Sequence, residues 1–100
     1  MRRADYTWTV PASLPAFAGH FPGRPIVPGV VLLDRALLFA EAWLGRPAIA
    51  WQVAQAKFLS PVGPGEALAC RLQEGPGEAI DFSIRAGERQ VAAGRLKPAP

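Results

Sequence analysis

The stretch Gly29–Leu44 contains no proline and, after its first residue, no glycine. Pro28 stands before it and Gly45 behind it, the residues that favour the start and stop of a helix. The segment therefore predicts one α-helix. Val30, Val31, Leu32, Leu33, Ala36, Leu37, Leu38, Phe39, Ala40, Ala42, Trp43 and Leu44 leave almost no polar side on it, so it should be buried nearly all round. A chain of 100 residues has room for one core and not two. That helix must be its centre, and the rest of the chain must wrap it as a single domain over residues 1–100.

The wrapping is written in strands. Residues 5–10 alternate, with Tyr6, Trp8 and Val10 on one side and Asp5, Thr7 and Thr9 on the other, as a half-buried strand does. Residues 48–59, 67–73, 79–86 and 90–96 are strand-like and separated by the turns 60–65, 74–77 and 87–88. The alternation is cleanest where Ile80, Phe82 and Ile84 interleave with Asp81, Ser83 and Arg85, the pattern of a sheet with one dry face. One strand, one helix and then an antiparallel meander predict an α+β architecture with the helix against the sheet. One such sheet cannot cover a helix apolar on every side, so a second subunit, and hence a dimer, is expected. Residues 97–100 read as a frayed tail.

Composition narrows the function classes. Half of the residues are hydrophobic and 19% are charged, ordinary for a folded soluble domain. No apolar run reaches the roughly 18 residues of a membrane span, and the basic N-terminus lacks the apolar stretch of a secretory signal, so the cytoplasm is the expected location. Cys70 is the single cysteine and His20 the single histidine, which argues against a disulfide framework or a metal site and implies no cofactor. The net charge of +3 comes from arginines scattered along the chain rather than from a basic block. That reads first as a solvated face, second as attraction to an acidic partner, and only weakly as nucleic-acid binding.

The residues with chemistry lie near the helix start. The loop from Pro11 to Pro28 carries Pro15, Pro22 and Pro25; loops of this length in small domains are uncommon and often functional. It holds His20 on a stiff backbone. Asp34 sits about one turn into a hydrocarbon-rich helix, where loss of water would disfavour its ionised form; the helix N-terminus or a nearby arginine would do the reverse. Gly29, behind a proline without an N–H, would let a carbonyl approach the first backbone donors of the helix, or it is plain punctuation.

The run His20-Phe21-Pro22-Gly23-Arg24-Pro25-Ile26-Val27-Pro28-Gly29-Val30, followed by Asp34, resembles the active-site motif of the β-hydroxyacyl-acyl carrier protein dehydratases of the FabZ and FabA type. Ala56-Lys57-Phe58 and Ser60-Pro61-Val62-Gly63-Pro64-Gly65-Glu66 are similar to the same family's next strand and turn. The acid is Asp, as in the FabA-type branch, while the wording around the histidine is nearer the FabZ-type branch, which uses Glu. The short chain looks like the small dehydratase-like proteins of the ApeI group. The resemblance implies a hot-dog fold, a curved antiparallel sheet around one central helix, and sites built between two subunits. His20 of one chain would then face Asp34 of the other, with the Gly29 N–H as donor to the thioester carbonyl and Phe21, Pro28, Val30 and Phe58 against the substrate. It implies as partners an acyl carrier protein bearing a 3-hydroxyacyl chain and a second hot-dog subunit, the same or related.

Removing water from a 3-hydroxyacyl thioester needs a base at the α-carbon, an acid at the β-hydroxyl and a donor to the carbonyl oxygen, and His20, Asp34 and Gly29 match those roles. Phe17, Phe21, Trp51 and Phe58 are candidates to line an acyl tunnel, though core packing is the commoner use of an aromatic. Carrier proteins are acidic, so Arg24, Lys57 and Arg95 are candidates for a landing patch. A hot-dog thioesterase and a non-catalytic subunit supporting a paired dehydratase are the alternatives. A related hydratase branch carries its Asp before its His, the reverse of the order here.

Overall fold

A computed structural model describes residues 2–14, 26–47 and 50–100. The order is β1 (Arg3–Thr9), α1 (Gly29–Leu44), β2 (Trp51–Phe58), β3 (Ala67–Glu74), a short 3-10 turn (Pro76–Glu78), β4 (Ile80–Ala86) and β5 (Arg89–Pro98). The helix has the bounds that its flanking residues predict. Pro28 caps it in extended geometry, and Gly45 ends it in the left-handed region at φ 71°, its N–H donating to the Glu41 carbonyl, a conformation glycine adopts without a Cβ clash.

All strand pairs are antiparallel, in the order β1-β3-β4-β5-β2. This departs from a simple meander: β2 does not neighbour β3 but crosses to the far edge and pairs with β5. The last residues also differ from the expected frayed tail, because β5 runs to Pro98 and the Ala99 N–H donates to the Ala50 carbonyl at 2.7 Å. Gly94 is needed on β5, since a Cβ there would lie 2.2 Å from the Gln55 carbonyl oxygen and 2.7 Å from the Phe82 ring.

The core lies between the helix and the inner face of the sheet. Leu68, Cys70 and Leu72 of β3, Ile80, Phe82 and Ile84 of β4 and Val91, Ala92 and Leu96 of β5 are buried there, those of β4 in the alternation read from the sequence. From the helix come Leu32, Ala36 and Ala40, spaced four apart on one stripe. The neighbouring stripe meets β1: Phe39 stacks on Tyr6 with centroids 4.8 Å apart, and the Arg35 guanidinium lies 4.6 Å above the Trp8 ring.

Among the described residues the chain therefore covers the helix on one side, not all round. Val30, Asp34, Leu38 and Ala42 form an open stripe, with Val30 70% and Leu38 38% exposed. The reason is geometric, because a single sheet layer meets about half of a helix's circumference. Among the described residues no helix is long and apolar enough to cross a membrane.

Candidate active site

His20 and Phe21, with Phe17 and Arg24, lie outside the described residues. The structure does place Pro28, Gly29, Val30, Asp34 and Phe58. Pro28 ends the extended approach to the helix with φ −60° and ψ 145°, and its carbonyl accepts a hydrogen bond from Val31 N–H at 3.0 Å. Gly29 and Val30 open the helix, so their N–H groups belong to the first turn, whose donors have no partner within the helix itself. The helix dipole adds partial positive charge at the same point.

Phe58, the last residue of β2, lies across this helix start. A Cβ on Gly29 would fall 2.8 to 3.0 Å from three atoms of its ring, so the glycine is what allows ring and backbone to approach. Beside them is an apolar hollow lined by Ile26, Val27, Gly29, Leu32, Phe58, Leu59, Ser60 and Pro61. Val27 is tied into it by an N–H to the Val62 carbonyl at 2.8 Å. The turn 59–66, whose first residues Leu59, Ser60 and Pro61 wall the hollow, is itself held in place. Leu59 N–H donates to the Val91 carbonyl, Val10 N–H to the Glu66 carbonyl, and Gly65 N–H to the Val10 carbonyl.

Glu66 holds the two ends of that turn together, a role the sequence did not single out. Its carboxylate accepts from Gly63 N–H at 2.8 Å and from the Arg89 guanidinium at 2.7 Å, and Arg89 also reaches the Pro61 carbonyl at 3.2 Å. The Gly63 N–H first, and then Arg89, hold the Glu66 carboxyl below its ordinary range.

Asp34 is not part of this hollow. It is exposed on the open helix stripe between Val30 and Leu38, so the loss of water expected from its apolar sequence neighbours is not supplied by the described residues of its own chain. Those neighbours surround it along the helix, but the sheet packs on the other side. Trp51 is also removed from the site: it is 6% exposed at the opposite end of the helix, beneath the Arg46 guanidinium. Lys57 and Arg95 lie on the outer face of the sheet, where Arg95 is paired with Asp81 at 2.7 Å. Gly29, Phe58 and the hollow thus come together within one chain, and the acid faces outward.

Comparison with known proteins fits this geometry. A FabZ 3-hydroxyacyl-[acyl-carrier-protein] dehydratase of Gluconacetobacter diazotrophicus is 35% identical over 74 residues, 65% of this chain and 46% of that one. The chain spans about half the length of the curated relatives it matches. In three dimensions it is similar to the dehydratase heterocomplex ApeI:P from Xenorhabdus doucetiae, with a TM-score of 0.81 and 24% identity over 98% of this chain and 88% of that one. It is also similar to the 1,4-dihydroxy-2-naphthoyl-CoA thioesterase Slr0204 from Synechocystis, with a TM-score of 0.68 and 18% identity over 99% of this chain and 89% of that one. The shared architecture is the hot-dog fold, and it does not by itself separate dehydratase from thioesterase. The ApeI-like family model, described as ApeI dehydratase, matches residues 1–95, and the chain belongs to that family.

Proposed function

We propose that this protein dehydrates 3-hydroxyacyl thioesters carried on an acyl carrier protein to trans-2-enoyl thioesters, as a dimer with two sites. The observation that carries the reading is the division of the site. One chain offers an apolar hollow closed by Phe58 against the Gly29 helix start, and its described residues leave Asp34 exposed on a stripe that a second chain can cover. A second hot-dog subunit, identical or related, seated on Val30, Asp34 and Leu38 would bring an acid to a neighbouring hollow. The names of the matched relatives supply the substrate class.

In this mechanism neutral His20 takes the α-proton, Asp34 delivers a proton to the β-hydroxyl as the carbon–oxygen bond breaks, and water leaves. The electron pair from the α-carbon becomes the new double bond. Gly29 N–H donates to the thioester oxygen while negative charge builds there. Pro28 and Val30 set the backbone that presents this donor, and Phe58, with Phe21, packs on the acyl chain. A well-placed acid or base contributes about 10² to 10⁴ in rate.

The test is purified protein with a 3-hydroxybutyryl or crotonyl thioester, followed by enoyl absorbance and by release of free thiol. Enoyl absorbance changing without free thiol supports dehydration, and free thiol supports the thioesterase alternative. His20→Ala and Asp34→Asn are each expected to lower kcat by at least 10²; if neither alters turnover of the native assembly, a supporting, non-catalytic role replaces this reading.

A further inference from the structure

The outer face of the sheet gathers cations that the sequence disperses. Strand register sets Arg71 beside Asp5 and Ser83, Arg85 beside Ala69, Arg95 beside Asp81 and Gln55, Lys57 beside Ala93, and Lys97 beside Gln52. Arg3 completes the set on β1. Among the described residues six basic and only two acidic ones, Asp5 and Asp81, stand on this face, so together they carry +4 where the whole chain carries +3.

The carboxylates brace cations rather than cancel the patch. Asp5 accepts from Arg71 at 2.9 Å, and Asp81 accepts from Arg95 at 2.7 and 3.2 Å. Between them the surface is low. Asp5, Ala69, Arg71, Ser83 and Arg85 rim one hollow, and Gln55, Lys57, Asp81, Ala93 and Arg95 rim a second. A second copy of this face would meet its own charge, and like charges oppose that contact. Among the described residues the rings of β1 and β4, Tyr6, Trp8 and Phe82, pack inward and offer a nucleic-acid strand nothing to stack on. An acidic protein surface fits both the charge and the shape.

We infer that the outer sheet face is where the acidic carrier protein docks while its acyl chain enters the site. This rests on the function proposed above. Lys57 and Arg85 stand one residue from the ends of β2 and β4, and the end of β2 is where Phe58 meets Gly29. A tether from a carrier on this face therefore needs only to round the strand ends.

The experiment compares the unmodified protein with Arg71→Glu/Arg85→Glu, and with Arg2→Glu as a charge change away from the face. Each is assayed with a 3-hydroxyacyl carrier protein and with a 3-hydroxybutyryl N-acetylcysteamine thioester. Binding of the acyl carrier protein is titrated calorimetrically in parallel. The double variant should raise KM for the carrier substrate at least tenfold, weaken carrier binding as much, and leave turnover of the small thioester unchanged, while Arg2→Glu changes neither. Unaltered carrier KM and binding in the double variant would overturn the inference while dehydration of the small thioester still stands. Carrier binding lost in the double variant, in a protein that dehydrates neither substrate, would keep the docking face and remove the proposed activity.

Discussion

Gly29 and Gly94 both stand where a Cβ would collide with a neighbour, yet the collisions differ in kind. At Gly29 the obstacle is the far end of the Phe58 ring, on a side chain 51% exposed that can swing away. At Gly94 it is the Gln55 carbonyl in a paired strand and the buried Phe82 ring, and neither can yield without moving the sheet. Gly94→Ala is expected to destabilise by about 3 kcal/mol, at the upper end of overpacking costs. Gly29→Ala should cost under about 1 kcal/mol and instead lower kcat, because the displaced ring and the added methyl crowd the donor. Thermal melts and steady-state rates on the pair check this, and Phe58→Leu added to Gly29→Ala should restore the lost stability. The same scale covers Cys70, which is buried and whose thiol is pushed up to about 12 by loss of water. A thiol reagent should label it in the native protein no faster than the protein opens.

At the scale of the element, the helix was the most legible part of the sequence and its orientation the least. Pro28 and Gly45 act locally through backbone geometry, so the bounds of α1 could be read directly. Which side of it meets the sheet could not, because a segment apolar on nearly every side gives periodicity nothing to select. Among the described residues of one chain Asp34 lies on the stripe that the sheet leaves open. The strands were legible from alternation, most clearly Ile80, Phe82 and Ile84 at 2% exposed each. The place of β2 was not, since pairing with β5 rather than β3 is a long-range choice that no local pattern records. Of the candidate site, Gly29 and Phe58 come together. Trp51 does not, because the length of β2 separates it from Phe58. The open stripe yields its own prediction: Leu38→Glu should leave the secondary structure of one chain intact while shifting sedimentation from dimer toward monomer, with loss of turnover. A dimer that persists with full activity would place the subunit contact elsewhere.

The whole molecule joins its two edges through the turn after β2. Leu59, Ser60 and Pro61 wall the hollow beside Gly29, and the turn they begin, residues 59–66, is held by bonds to the end of β1 and the start of β5. Glu66 is the one carboxylate in that junction, bonded to Gly63 N–H and to Arg89, and both bonds favour its charged form. A carboxyl whose folded value is depressed gives stability that is fully present above its unfolded value, near 4.5 for a glutamate, and that is lost as pH falls through the lower folded value. Asp5, lowered chiefly by its bond from Arg71, acts in the same acid range but on the outer face, away from the site. The two are therefore separable. The unmodified protein should lose thermal stability steadily below about pH 4.5, and Glu66→Gln should flatten part of that fall while lowering stability at neutral pH. Because the turn also positions Leu59 and Pro61 in the hollow, Glu66→Gln should raise KM for a small thioester at neutral pH, where Asp5→Asn should not. Equal effects of the two substitutions on KM would mean that the turn holds itself in place without its carboxylate.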